Sequence, residues 1–250
     1  GSGALMVSNN GLIRATGNKI SSNGSAEAAI RSGCQGGEIE AKNNEIVVDS
    51  GAVVDTTGDT KVTLENNTIS GNSDTFAETD PNSNTEINLN NQTAGGDINT
   101  GDGSTTDINI ENGSDYTGGD INTGDGSTTN VDVNGGSTTT NTGVNTGDNS
   151  NTDINVSGES NITGGSSTTG DGSTTDIDVS GGSTTTGADI TTGDGSTTNI
   201  DITENSTANN GDITTGDNSE TNVHVDDSTT NDVDVTTGTG SNTDIDVTGG

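Results

Sequence analysis

The chain has 250 residues, of which 22% are hydrophobic and 1% aromatic, and it carries a net charge of −34. An ordinary globular domain is roughly 45–50% apolar, so a core of normal thickness is excluded; what remains is disorder or a quasi-one-dimensional repeat that needs only a thin core. The acidity excludes nucleic acid and anionic membrane surfaces as partners, since their phosphates would be repelled, and no apolar run approaches the roughly 18 residues of a membrane-spanning helix.

In chain order, residues 1–10 hold one apolar stretch, Ala4-Leu5-Met6-Val7, read as an N-terminal strand and too short for the apolar part of a signal peptide. Residues 11–92 form a first region. Strands are expected at Leu12-Ile13-Arg14-Ala15, Glu38-Ile39-Glu40-Ala41, Lys61-Val62-Thr63-Leu64 and Glu86-Ile87-Asn88-Leu89, and the steps from Ile13 to Ile39, Val62 and Ile87 are 26, 23 and 25 residues. All five basic residues lie here (Arg14, Lys19, Arg31, Lys42, Lys61), whereas only seven of the 39 acids precede Val62, which leaves 32 for the rest of the chain. Cys34 is the one cysteine, so an intrachain disulfide is impossible; it reads as a small buried hydrophobe. The least regular stretch, Ser73–Asn84 with Phe76 and Pro81, reads as an exposed insertion between coils.

Residues 93–250 repeat more strictly. Gly-Asp-(Gly/Asn)-Ser recurs at Gly101, Gly124, Gly147, Gly170, Gly193 and Gly216 in steps of 23, with a degenerate copy 22 residues later at Gly238. Each copy leads into Thr-(Asp/Asn)-(Ile/Val)-polar-(Ile/Val), as in Thr106-Asp107-Ile108-Asn109-Ile110. This is the period-2 pattern of a half-buried strand bounded by turns. A second short strand precedes each turn, as in Asp120-Ile121-Asn122-Thr123. His224 falls in a column otherwise held by Asp or Asn and is expected to face outward. Self-similarity at this period marks a solenoid. The fold class is therefore all-β, a single parallel β-solenoid of about eleven coils of about 23 residues. With roughly 4.8 Å between stacked strands, the rod is on the order of 50 Å long. Three aliphatics per coil, such as Val131, Val133 and Val144, do not offset the entropy of ordering a coil. Inward Thr and Ser columns are expected to help, the clearest running from Thr106 through Thr129, Thr152, Thr175, Thr198 and Thr221 to Thr243.

The early coils, best over residues 11–92, resemble the right-handed parallel β-helix repeats of the pectate-lyase-like superfamily. The resemblance rests on Val62-Thr63-Leu64-Glu65-Asn66-Asn67-Thr68-Ile69-Ser70-Gly71-Asn72 and its counterparts from Ile39 to Ile46 and from Ile13 to Ile20. In that family an Asn after the strand stacks on its equivalents inside the helix. The resemblance implies such a ladder at Asn18, Asn44 and Asn67, with Gln92 in the next place and a lapse at Gly113 and Gly136.

Three sets of residues are candidates for function. The aspartates Asp102, Asp125, Asp148, Asp171, Asp194 and Asp217 would stack at the turns. Neighbouring carboxylates about 4.8 Å apart repel by roughly 1 kcal/mol in water and about 3–4 at an effective dielectric of 20. Bound cations would relieve this, and Ca²⁺ takes oxygen ligands; solvated carboxylates splayed outward are the alternative. Leu5, Met6 and Val7 at one end and Val247 at the other are candidate inter-subunit residues for a head-to-tail homopolymer; alternatively the N-terminal strand covers its own first coil. Asn-x-Ser/Thr occurs at Asn23, Asn66, Asn91, Asn112, Asn155, Asn161 and Asn205, which permits surface glycans.

Catalysis is not expected. Paired aspartates are plentiful, but repetition makes every coil equivalent, and no base follows Lys61. The expected function is that of a non-enzymatic structural protein, extracellular or at the cell surface: a filament subunit or an adhesin stalk in contact with matrix polysaccharide. The alternative is a binding module for ice or polysaccharide on a calcium-stabilised β-helix. Against ice, the outward positions read Thr105/Asp107 and Thr128/Asn130, not Thr/Thr, and Gly-Gly-Ser-Thr-Thr-Thr occurs only at Gly135 and Gly181.

Overall fold

The computed structural model describes residues 3–8, 11–22, 28–33, 37–49, 51–56, 58–71 and 75–248, without the side chains of 3–8, 33 and 71; Cys34 and Asn23 lie outside the described residues. Among these there are 32 strands and no helix. Three strands make one coil, and each strand pairs in parallel with the strand three places further along the chain, except between Thr68–Gly71 and Thr93–Ala94. The first face is an eleven-stranded sheet from Gly3–Ser8 to Val235–Thr237, and the second an eleven-stranded sheet from Gly11–Thr16 to Asn242–Thr248. The third face starts with the three strands Lys19–Ser22, Glu45–Val48 and Thr68–Gly71 and resumes as seven strands from Thr93–Ala94 to Thr229–Asn231. The protein is thus a parallel β-solenoid of about ten turns, the eleventh supplying two faces only.

Alternation fixes the second face. In Thr128–Val133 the side chains of Thr129, Val131 and Val133 are buried and Thr128, Asn130 and Asp132 are not. Register then carries each position into a column: Ile108 lies opposite Val131, and Val131 opposite Ile154. The expected Thr column is fully inward from Thr106 to Thr221, and only Thr243 in the last coil is exposed. These threonines meet a second column across the corner between the first and second faces. Thr129 Oγ1 lies 2.9 Å from Thr123 Oγ1, and the same pair recurs as Thr146/Thr152, Thr169/Thr175, Thr192/Thr198 and Thr215/Thr221. A buried hydroxyl left without a partner costs about 1–3 kcal/mol, which these five pairs avoid; among the described residues Thr100 and Thr106, one coil before the first pair, make no such bond.

The Asn ladder is present and does not lapse. The backbone N–H of Asn18 donates to Asn44 Oδ1, that of Asn44 to Asn67 Oδ1, and that of Asn67 to Gln92 Oε1, at 2.9, 2.9 and 2.8 Å. Gln92 N–H then donates to Ser114 Oγ at 3.0 Å, and serines continue the ladder through Ser137, Ser160, Ser183 and Ser206 to Ser228. The expected lapse at Gly113 and Gly136 is therefore corrected. Before Gln92 the turn has one left-handed residue, Asn91 (φ 46°), whereas Asn112 and Gly113 are both left-handed (φ 55° and 75°). The extra turn residue moves the inward position one place on, where the short Ser side chain reaches the next coil.

The expected insertion at Ser73–Asn84 is also corrected for its described part. Thr75–Thr79 is a strand of the first face, with Ala77, Glu78 and Thr79 opposite Val54, Asp55 and Thr56. Phe76 is fully buried and meets Tyr116 edge to face, ring centroids 6.0 Å apart at 88°. Asp80-Pro81-Asn82-Ser83 makes the turn that later coils make with Gly-Asp-Gly-Ser: Asn82 has φ 58° and its N–H donates to Asp102 O at 2.8 Å. The two rings fill the centre of the rod. Beyond Tyr116 no inward side chain is as large, and a narrow apolar void of about 80 Å³ runs past Ile121, Val131, Ile154, Ile177 and Ala208.

Candidate functional site

The Gly-Asp-(Gly/Asn)-Ser turns do stack, and each letter has a separate job. The backbone N–H of Asp125 donates to Asp102 Oδ1 at 3.1 Å, and the pattern continues through Asp148, Asp171, Asp194 and Asp217 at 2.9, 2.9, 2.8 and 2.7 Å. The last carboxylate accepts from Thr239 N–H at 2.6 Å. Hydrogen bonds to a charged acceptor are among the stronger ones, so the fold itself supplies relief for the stacked charges. The six predicted aspartates thus form a column of N–H acceptors, each bridging one coil to the next. Among the described residues no group of three or more His, Cys, Asp or Glu side chains is arranged to hold a metal ion. The serine of the motif points inward and forms a second ladder, from Ser83 N–H to Ser104 Oγ and onward to Ser241, at 3.0–3.3 Å.

The outward side of the second face carries most of the charge chemistry, in two styles. In the early coils each base lies opposite an acid of the next coil, on this face and its neighbours: Arg14 to Glu40 at 2.7 Å, Lys19 to Glu45 at 2.5 Å, Arg31 to Asp55 at 3.4 Å, Lys42 to Glu65 at 2.6 Å and Lys61 to Glu86 at 2.5 Å. The hydrogen bond from Arg14 holds Glu40 below the usual carboxylate range, and that from Lys61 does the same for Glu86. Beyond Lys61 amides replace the bases. Asn130 Nδ2 donates to Asp107 at 2.5 Å, Asn155 to Asp132 at 2.8 Å and Asn199 to Asp176 at 2.6 Å.

At two places the dilution fails and aspartates stack directly, Asp153 on Asp176 and Asp178 on Asp201. Burial first, and then Asp176, pushes the Asp153 carboxyl up; burial and then Asp201 do the same to Asp178. Asp153 Oδ1 is shielded from solvent with no donor among the described residues, so a proton shared with Asp176 would satisfy it. His224 faces outward as expected, 43% exposed, with Nδ1 3.7 Å from Asp246 Oδ2. Carboxylates are thus abundant on this face, yet they recur coil after coil.

The predicted inter-subunit residues fall on different faces. Leu5, Met6 and Val7 lie in the outermost strand of the first face, which pairs on one edge in register with Ile30, Arg31 and Ser32. Val247 lies in the second face, in the column that begins at Ala15 and reaches it through Val225. An end-to-end stack that keeps register would place Val247 against the Ala15 column of the next copy and Leu5–Val7 against Val235–Thr237. Ile245 and Val247 are 53% and 66% exposed, whereas Val223 and Val225 one coil earlier are 7% and 2% exposed.

The third strand of each coil was not visible in the sequence pattern. Thr138–Thr140, Asn161–Thr163, Thr184–Thr186 and Thr207–Asn209 have no apolar alternation, and only their recurrence every 23 residues signals them. Their middle residues, Thr139, Ile162, Thr185 and Ala208, line the central void, so the outer two of each strand face solvent. No protein-family model, curated protein or solved structure matches the chain.

Proposed function

We propose that this chain is a non-enzymatic structural rod of the extracellular or cell-surface kind, a filament subunit or adhesin stalk that lengthens by stacking coils. One observation carries the reading. From Thr105 onward each coil meets the next through the same register and the same Ser and Asp ladders, with the same Thr pair in each coil from Thr123 to Thr221, so a further coil of this sequence continues these columns. A head-to-tail contact of that kind is heterologous and open-ended, which is the geometry of a filament. Recurrence also argues against catalysis, since an active site is one special place and the turn carboxylate recurs in six successive coils from Asp102 to Asp217. Calcium enters this proposal as a counter-ion for the outer oxygens of the Asp column, whose inner oxygens the backbone already serves. Matrix or cell-surface polysaccharide is the partner proposed for a stalk. The kinship proposed with pectate-lyase-like β-helices stands on the early ladder from Asn18 to Gln92.

Negative-stain microscopy and sedimentation of the purified chain, with and without chelator, test the proposal. Rods longer than one molecule are expected, and Ile245→Asp with Val247→Asp should return them to single rods by placing two charges on the stacking surface. Monomers at every concentration in the unsubstituted chain would refute it.

A further inference from the structure

The third face of the later coils stands apart from the rest of this acidic molecule. Its outward positions run in two columns, one through Thr138, Asn161, Thr184 and Thr207, the other through Thr140, Thr163, Thr186 and Asn209. None of these eight carries a charge, in a chain with 39 acids. Acidic groups return at Asp115, opposite Thr138 in the preceding coil, and at the corners, at Glu159 and Glu204 on one side and Asp189, Asp212 and Asp232 on the other.

The columns form a lattice. Outward residues two apart on a parallel strand are about 6.6 Å apart, and equivalent residues on adjacent strands about 4.8 Å apart. Repeats of this order in two directions are those of oxygen positions on a crystal face of water. Threonine suits such a lattice for two reasons. Its β-branching restricts χ1, so the array is set before anything binds. Its hydroxyl both donates and accepts, while its methyl does neither, so water is held at the hydroxyls and confined between the methyls. Charged groups orient water in their own fields and would break that order.

We infer that this threonine-asparagine face binds ice. The other occupants fit less well. A sugar on this face would find no aromatic ring to stack on, the chain's one Phe and one Tyr being buried. A protein partner would need a large apolar or aromatic anchor, and these two columns offer none. The sequence pattern speaks against ice on the second face, where Thr alternates with Asp and Asn, and in Gly-Gly-Ser-Thr-Thr-Thr, which occurs only at Gly135 and Gly181; the register shows that Asn161–Thr163 and Thr207–Asn209 complete the array between and beyond those two copies. The face works in a single rod; end-to-end stacking would repeat it along the filament, with the charged Lys19/Glu45 coils of the next copy between one array and the next.

The test is thermal hysteresis and inhibition of ice recrystallisation by the purified chain. Faceted ice crystals and a gap between melting and freezing are expected. Thr140→Lys, Thr163→Lys and Thr186→Lys combined should abolish both. Thr128→Lys, Thr174→Lys and Thr197→Lys combined, on the second face, should leave both intact. Circular dichroism and thermal unfolding establish that each variant is folded. If the third-face triple variant does not fold, Thr163→Tyr, a single bulky protrusion, should still remove most of the activity. No gap and no inhibition in the unsubstituted chain would overturn the inference. So would equal loss in the second-face variant, or third-face substitutions that dissociate a lateral dimer and spare any ice activity.

Discussion

A Cβ built at Gly124 would overlap Asp102 Oδ1 and crowd the Asp102 backbone, and the same collision recurs at Gly147, Gly170, Gly193 and Gly216. The first glycine of the motif is thus required by close approach, since none of these has a positive φ. The third position is different. Gly103, Gly126, Gly172 and Gly195 have φ of 67–68°, and Asn149 and Asn218 hold the same place at 55° and 56°. Asn tolerates the left-handed region, which explains why the sequence alternates Gly and Asn here and never varies the first glycine. Two substitutions separate these roles. Gly124→Ala should cost about 1–3 kcal/mol, the range for an inserted methyl that forces backbone to shift. Gly126→Asn should stay within about 0.5 kcal/mol. Urea unfolding of the two variants checks this; equal costs would mean that crowding at Asp102 is not what selects glycine. The motif itself was legible from repetition alone, but its two kinds of glycine look identical as letters and differ only in the turn.

At the scale of the strand, legibility followed apolar content. The second-face strands alternate strictly and most first-face strands carry an Ile or Val, so these were apparent in the sequence, whereas Thr75–Thr79 and Ser166–Thr169 carry neither. The third strand turns one residue of three toward the lumen, Thr139, Ile162, Thr185 or Ala208 in turn, of which only Thr139 is buried, a set with no hydrophobic signature. The ladder was read correctly while its side chains stayed amide and was lost where an added turn residue moved the place to Ser114. Phe76 misled for the opposite reason: an isolated ring among polar residues looks like a loop, yet it fills the lumen together with Tyr116, whose hydroxyl donates to Gly96 O and whose phenol is pushed up by burial. The later lumen lacks such filling. Ala208 is partly buried against the core and borders the void, so Ala208→Val should stabilise the protein by about 1 kcal/mol, given about 0.8 kcal/mol per buried CH₂ less some strain. Ile162→Ala should cost about 2 kcal/mol, the low end for such truncations. Thermal unfolding reads both, and a destabilising Ala208→Val would show that the void is already closed to a larger side chain.

Across the whole rod, charge divides the molecule into halves that answer to pH in opposite senses. In the early coils the lowered carboxyls of Glu40 and Glu86 mean that the fold prefers them ionised. Their contribution is whole above the unfolded value, about 4.3, and is lost as pH falls through the lower folded value. In the later coils Asp153 and Asp178 are raised, so the fold prefers them protonated. Their contribution is whole below the unfolded value, about 3.9, and is lost as pH rises through the higher folded value. Asp55 is the exception in the early half, raised by burial against the pull of Arg31. Lowering the pH from neutrality toward about 4 should therefore raise the protection of the coils around Ile154, Ile177 and Ile200, as Asp153 and Asp178 take up protons. The coils around Ala41, Leu64 and Leu89 should gain little in that interval and weaken only at lower pH, when Glu40 and Glu86 are protonated and their bases lose their partners. Native-state hydrogen exchange read by peptide mass spectrometry distinguishes the two stretches. Replacing both carboxyls, Asp153→Asn with Asp178→Asn, should stabilise the later coils at pH 7 and remove their gain on acidification, because an amide already supplies the donor that the added proton would. A uniform response along the rod, or an unchanged pH profile in that double variant, would show that the stacked aspartates are not the groups that take up the protons.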